Sequence, residues 1–171
     1  VLGLKDNGAV VAVVDEKSYQ EDLTEYVEKE WTNIVEICSG YYYTVGLKAD
    51  GTIVGVHFGH NNVIVPGKTY TYLYNGLKYL NQDEWKDIVD ISVSNDGQVI
   101  SGVKKDGTVV IHYVGGTLAN LDESKQWKDI KMISVSDEHA VGLKSDGTVV
   151  ATGDNFHNEC KVDGWKDVIE V

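Results

Sequence analysis

Apolar residues in this chain fall in many short runs, each broken within a few positions by a turn signal. Two runs alternate cleanly, Ile91-Ser92-Val93-Ser94 and Ile133-Ser134-Val135-Ser136, with the two-residue period of a β-strand. Others are rich in β-branched residues: Thr52-Ile53-Val54, Thr108-Val109-Val110-Ile111 and Thr148-Val149-Val150. In the last of these Val150 faces one side while Val149 and Ala151 face the other, so both faces need cover. One stretch disagrees: Leu23, Tyr26, Val27, Trp31, Ile34, Val35 and Cys38 follow a helical period. Its later counterparts alternate as strands. The segment from Trp31 onward is therefore read as a strand, with a short helix expected around residues 23–29.

Two motifs recur four times each and alternate along the chain. The first is Gly-apolar-Lys followed by a turn. It starts at Gly3, Gly46, Gly102 and Gly142, and its turn glycines are Gly8, Gly51, Gly107 and Gly147, spaced 43, 56 and 40 residues apart. The second is a Trp with apolar residues three and six positions later: Trp31/Ile34/Ile37, Trp85/Ile88/Ile91, Trp127/Ile130/Ile133 and Trp165/Val168/Val171. Constant motifs at variable spacing mean a fixed unit with loop insertions. Each Asp-Gly, and Asn7-Gly8 in the first copy, predicts a two-residue hairpin with a type I′ turn. Glycine at one strand position in every copy predicts close approach by a neighbour. Small sheets that must stack to hide both faces fit an all-β propeller. The expected units are 1–30, 31–84, 85–126 and 127–164, with 165–171 beginning or closing a further one, all within a single domain, 1–171.

At 171 residues with 42% apolar content the chain can bury a core. Lys and Arg total 15 against 27 Asp and Glu, a formal net charge of −12. That field repels phosphate backbones, so direct nucleic-acid binding is not expected. The acid excess reads as a self-repelling surface or as attraction to a basic partner. Two cysteines, Cys38 and Cys160, make no disulfide framework. No run approaches the roughly 20 apolar residues a membrane span needs. The chain opens on Val1 inside a strand pattern, which reads as a processed, trimmed or excerpted sequence.

The last repeat is the most specific. Trp127-Lys128-Asp129-Ile130, Ile133-Ser134, His139, Val141-Gly142-Leu143-Lys144, Asp146-Gly147-Thr148-Val149, Ala151-Thr152-Gly153-Asp154-Asn155 and Asn158-Glu159-Cys160 together resemble the repeat of the RCC1-like β-propeller family. That family typically has Gly-Gln where Asn158-Glu159 stands. The third and fourth units match best, and the resemblance covers about two-thirds of the residues, the rest being insertions. It implies a propeller that usually closes with seven blades, more than four motifs supply. The favoured expectation is a piece of a larger propeller, with self-association of two copies as one way to complete it. The other is a four-bladed ring closed by residues 165–171 beside residues 1–14. Against the ring, the counterparts of residues 38–43 are missing at the junction. The terse Trp-Lys-Asp-Ile units look like bacterial members, and a secreted or cell-surface address is slightly favoured.

Function would lie in the insertions, because loops on a rigid scaffold carry it. Tyr70, Tyr72 and Tyr74 are read as one face of an Asn75-Gly76 hairpin, and Tyr41, Tyr42 and Tyr43 as a loop before a strand; these six tyrosines are the candidate partner contacts. Their other reading is packing. His57 and His60 have a metal-like spacing without further ligands nearby, so no metal is expected. His139 reads as a structural residue of the repeat. The turn aspartates Asp50, Asp106 and Asp146 are explained by their turns. The four tryptophans read as core. No nucleophile motif, phosphate loop or dinucleotide fingerprint appears, and no cofactor is expected. The expectation is a non-catalytic scaffold that binds a protein through its loops. The alternatives are an inhibitor of a secreted enzyme, a cell-surface glycan-binding module or a structural spacer.

Overall fold

The computed structural model describes residues 1–12, 27–41, 43–58, 63–65, 68–70, 73–75, 83–114 and 121–171. Its strands are β1 (Leu2–Leu4), β2 (Val10–Ala12), β3 (Ile34–Ser39), β4 (Tyr43–Lys48), β5 (Ile53–Phe58), β6 (Val63–Val65), β7 (Lys68–Tyr70), β8 (Leu73–Asn75), β9 (Ile88–Val93), β10 (Val99–Lys104), β11 (Val109–Tyr113), β12 (Ile130–Val135), β13 (His139–Lys144) and β14 (Val149–Gly153). All ladders are antiparallel: β1-β2, β3-β4-β5-β8, β9-β10-β11, β12-β13-β14 and a separate β6-β7 hairpin. Apolar side chains fill the spaces between successive sheets. Tyr43, Val45 and Leu47 of β4 meet Trp85, Ile88 and Ile91, while Val99 and Val103 of β10 meet Ile130, Ile133 and Ala140. The both-sided burial expected of the strands is therefore met by stacking.

The hairpin turns differ from the expected form. Only the glycine has positive φ, at +77° to +83° in Gly8, Gly51, Gly107 and Gly147. Gly51 N–H donates to Lys48 O at 2.9 Å, and Lys48 N–H to Thr52 O at 2.8 Å. This is a three-residue loop, a type I turn closed by a left-handed glycine, and not a two-residue type I′ turn. The aspartate sits in the right-handed part of the loop and ties the exit: Asp50 Oδ1 accepts from Thr52 N–H at 2.9 Å and Thr52 Oγ1–H at 2.6 Å. Asp106 and Asp146 repeat this with Thr108 and Thr148.

Each turn docks on the next unit. The carbonyls of Gly8, Gly51, Gly107 and Gly147 accept from the N–H of Ile34, Ile88, Ile130 and Val168 at 2.9, 3.0, 3.1 and 3.1 Å. The residue just before each of those donors, Asn33, Asp87, Asp129 or Asp167, is left-handed at φ +57° to +61°. Asn and Asp enter that region more readily than other side-chain-bearing residues. A Cβ on Gly107 would lie 2.9 Å from Asp129 Cα, so the turn glycine is needed for contact as well as for conformation.

The tryptophans stand three residues ahead of the strands, so the strand expected from Trp31 begins at Ile34. The same offset holds at Trp85 and Trp127. Each of these three rings lies over the middle-strand glycine of its own sheet, Gly46, Gly102 or Gly142. Trp31 and Trp85 are buried and Trp127 is half-buried, but Trp165 is 52% exposed and is not core. Residues 165–171 form no strand, and among the described residues β1 pairs only with β2. The chain does not close into a ring by that pairing. Residues 27–30 are helical, and the earlier part of the expected helix lies outside the described residues.

The first strands of successive sheets are joined by side chains. Asp90 Oδ2 accepts from Ile133 N–H at 2.8 Å, Ser92 Oγ accepts from Val135 N–H at 3.0 Å, and Cys38 Sγ–H donates to Ile91 O at 3.3 Å. Glu36 likewise takes a bond from the Ile91 backbone. Burial pushes the Asp90 carboxyl up to about 6, against the lowering effect of its Ile133 bond. Burial, then the charge of Asp90, pushes Glu36 up to about 7.

Two outcomes follow. Gly142→Ala puts a Cβ 2.7 Å from the Trp127 ring and is expected to cost about 1–3 kcal/mol in denaturant unfolding, the range for overpacking. The raised carboxyls hold protons in the folded state that the unfolded chain has released, so their linkage makes stability fall as pH rises from about 4 to about 7. The turn aspartates, held low chiefly by their threonine hydroxyls, lose their contribution only below that window. Asp90→Asn should therefore reduce the slope of the melting temperature between about pH 4 and 6, leaving the Glu36 part. A slope as steep as the parent's would contradict the assignment.

Candidate functional site

The ends of the sheets opposite the docking turns carry the loops β3–β4, β9–β10 and β12–β13. The β9–β10 loop is Asn95-Asp96-Gly97, with Gly97 at φ +76°. Gly97 N–H donates to Ser94 O, and Ser94 N–H to Val99 O, both at 2.9 Å. Asp96 Oδ1 accepts from Gln98 N–H at 2.8 Å and Ser94 Oγ–H at 2.7 Å. Burial opposes the Asp96 charge, but these bonds outweigh it and hold the carboxyl below its ordinary range.

Neighbouring loops lock onto this one. Tyr41 N–H donates to Asn95 O at 2.8 Å. A Cβ on Gly40 would collide with Ser94 O and lie 2.8 Å from Gly97 Cα, so only glycine lets the two backbones meet. On the other side Asp96 N–H donates to Asp137 Oδ1 at 2.9 Å. Ser136 Oγ accepts from His139 N–H and lies 3.0 Å from His139 Nδ1, which makes His139 part of the loop scaffold. The segment after β14 joins through Asp154 N–H to Glu138 O at 2.9 Å. Ser39, Gly40, Tyr41, Asn95, Asp96 and Gln98 line an open depression of about 650 Å³. The three loops carry Asp96, Asp137 and Glu138 and no Lys or Arg.

The six candidate tyrosines separate. Tyr41 is 71% exposed at the rim of the depression. Tyr43, two residues on, is 6% exposed and packs with Trp85 and Ile88, so its ring cannot be offered to a partner. Tyr42 and Tyr72 lie outside the described residues. Tyr70 is in β7, opposite Val63, whereas Tyr74 is in β8, opposite His57. The expected single hairpin face through Tyr70 and Tyr74 is therefore split between two sheets. His57 is opposite Tyr43 as well, so Tyr74 belongs to the same end of its sheet as the β3–β4 loop. The turn from Asn95 to Gly97 and its partner Asp137 escaped the sequence reading, although Asp96-Gly97 carries the same turn signal as the repeats.

Cys38 and Cys160 are free thiols, and burial pushes Cys38 up to about 12. Burial lowers His112. His60 lies outside the described residues. Among the described residues no three His, Cys, Asp or Glu side chains gather as metal ligands, and no helix is long and apolar enough to cross a membrane.

A family model described as the Regulator of chromosome condensation (RCC1) repeat matches residues 130–159. No curated protein matches the sequence. Among solved structures, the C-terminal domain of gp131 from bacteriophage phiKZ aligns at TM-score 0.62 with 11% identity, over 95% of this chain and 48% of that one. The CRINKLY WD40 ectodomain of the Arabidopsis thaliana receptor kinase ACR4 aligns at 0.53 with 13% identity, over 89% and 46%. Prp20p from Saccharomyces cerevisiae aligns at 0.48 with 16% identity, over 89% and 42%. The chain spans about half the length of the structures it matches. Residues 130–159 match the RCC1 repeat, and the small antiparallel sheets align with about half the length of the phage and plant structures.

Proposed function

We propose that this chain is a non-catalytic scaffold whose loop end binds a protein partner with a basic contact surface. The supporting observation is the chain of loops at residues 40–41, 94–98 and 136–138. They are hydrogen-bonded to one another across three sheets, acidic, and edged by an exposed tyrosine. A surface ordered before binding loses little conformational freedom on association, which favours affinity. Aromatic anchors beside polar groups are common where binding energy concentrates. RCC1-like repeat propellers are a fold usually without catalysis, and the proposal keeps to that. The unit boundaries 1–30, 31–84, 85–126 and 127–164 remain part of this reading, with one loop of the binding end drawn from each of the last three units. A partner of this kind would be a regulated protein or a secreted enzyme held in check.

A second reading rests on the depression itself. Tyr41 beside Asn95 and Gln98 offers a ring face next to amide groups, a pairing that suits a sugar at a cell surface.

The test is a binder selection with the purified chain against a displayed protein library, alongside a glycan array. For the first reading, captured proteins should lose at least tenfold in affinity on Tyr41→Ala, about 1.4 kcal/mol. Glu138→Gln should weaken them further and blunt their salt dependence. Phe156→Ala, at another exposed aromatic, should change nothing. Binding that survives both loop variants would refute the loop end as the site. Array binding lost with Tyr41→Ala would establish the glycan reading in its place.

A further inference from the structure

The depression at the loop end has a lining that discriminates between ligands. Its residues are Ser39, Gly40, Tyr41, Asn95, Asp96 and Gln98, with no Lys, Arg or His among them. The one charge in the lining is the Asp96 carboxylate, and the Asp137 side chain lies within hydrogen-bond reach of it. An anion placed there would meet repulsion, in a chain of net charge −12. A cation is the complementary charge. A divalent metal needs several oxygen ligands, and among the described residues no three His, Cys, Asp or Glu side chains gather to hold one. An organic cation remains, and the aromatic ring decides its kind. Tyr41 lines the depression and is 71% exposed. A guanidinium is planar, stacks on an aromatic face and forks onto a carboxylate. An ammonium is a compact, strongly hydrated point charge that uses such a wall less well.

The seat is also built in advance. Tyr41 N–H donates to Asn95 O at 2.8 Å, so main chain sets where Tyr41 stands relative to the Asn95–Gln98 turn. Only side-chain torsions are left to adjust on binding, which lowers the entropic cost. Asp96 Oδ1 takes both turn bonds, from Gln98 N–H at 2.8 Å and Ser94 Oγ–H at 2.7 Å, and Oδ2 takes neither. The side-chain amides of Asn95 and Gln98 add acceptor oxygens to the lining. A volume of about 650 Å³ has room for one long side chain and the backbone that carries it. We propose that the depression seats an arginine of the protein partner, its guanidinium stacked on the Tyr41 ring and paired with the Asp96 carboxylate. This names the anchor of the partner in the loop-end reading, and it rests on that reading.

The test is a titration of the isotope-labelled chain, followed by its amide NMR signals, with three probes: N-acetyl-arginine amide, N-acetyl-lysine amide and N-acetyl-citrulline amide. The arginine probe should shift the signals of Tyr41, Asp96, Gly97 and Gln98 and saturate in the roughly millimolar range. The lysine probe should bind at least tenfold more weakly, and the neutral citrulline probe should leave the signals in place. Tyr41→Ala and Asp96→Asn should each weaken arginine binding at least fivefold, while Tyr41→Phe, which keeps the ring, should retain it. Asn at position 96 keeps an Oδ1 acceptor for the turn, and unmoved signals for Val99 and Ile100 would show that the turn persists. Absence of saturable shifts overturns the proposal. So does citrulline or lysine binding as tight as arginine, or arginine binding indifferent to both Tyr41→Ala and Asp96→Asn. The outcome is separable from that of the binder selection. Captured proteins that depend on Tyr41 while the arginine probe fails would remove the guanidinium seat and keep the loop end. Arginine binding lost with Tyr41→Ala, beside captured proteins indifferent to that change, would support the seat and refute the loop end as their site.

Discussion

The structure depends on one hydrogen bond made four times, from the backbone N–H at Ile34, Ile88, Ile130 or Val168 to the carbonyl of the preceding turn glycine. Two backbone conformations must coincide for it to form. The glycine must be left-handed so that its carbonyl points off the turn, and the Asn or Asp before the donor must be left-handed so that the chain can bend under it. Neither sheet can move relative to the next without breaking that contact. The carbonyls of Asn33, Asp87 and Asp129 then accept from Ala49, Lys105 and Ser145 in the turns of their own sheets. One end of the molecule is thus a relay in which each turn positions the next.

Apolar burial supplies the drive that this relay orients. Sheets of two to four short strands are marginal alone, because each has two faces and little interior. Stacking solves this only if the sheets approach closely. The middle-strand glycines make room for tryptophan rings, and the bulge at Val35, Val89 and Lys131 turns the first strands so that Glu36 and Asp90 reach the next backbone. The carboxylate bridges bring half-buried negative charge between sheets, as the raised Glu36 and Asp90 show. They satisfy strand N–H groups that no ladder reaches, which a buried backbone requires.

What was legible in the sequence was whatever repeats. The alternation of hairpins with tryptophans, the both-sided burial and the need for glycine in the middle strand all follow from patterns that recur four times. The turn type is not legible, because Asp-Gly suits both a two-residue and a three-residue loop; only φ at the aspartate tells them apart. The tryptophans were placed inside strands because Trp, Ile and Ile at three-residue intervals say nothing of where the ladder starts. The recurrent Asn or Asp two residues after each tryptophan was visible, but its left-handed role becomes evident only when a neighbouring turn sits on it. The tyrosines show the opposite limit. Tyr41 and Tyr43 are two residues apart, yet one is at the rim of the depression ahead of β4 and the other, the first residue of β4, is in a core.

The two ends of the sheets therefore answer to different constraints. At the turn end the recurring positions of the motif are committed: the glycine to its φ, the Asp or Asn to the turn exit, the next Asn or Asp to its bend. At the loop end the contacts between units run through main chain and the short Asp137 carboxylate, Tyr41 N–H to Asn95 O and Asp96 N–H to Asp137 Oδ1, and they leave Tyr41 and Glu138 exposed. The ring of Tyr41 is largely exposed, and Glu138 is held at its carbonyl while its carboxylate faces solvent. An end whose geometry is set by main chain while its side chains can vary is where a repeat scaffold can acquire specificity without altering its fold. That division of labour is the physical basis of the proposal that recognition lies at the loops, even though the repeats themselves are the stronger signal in the sequence.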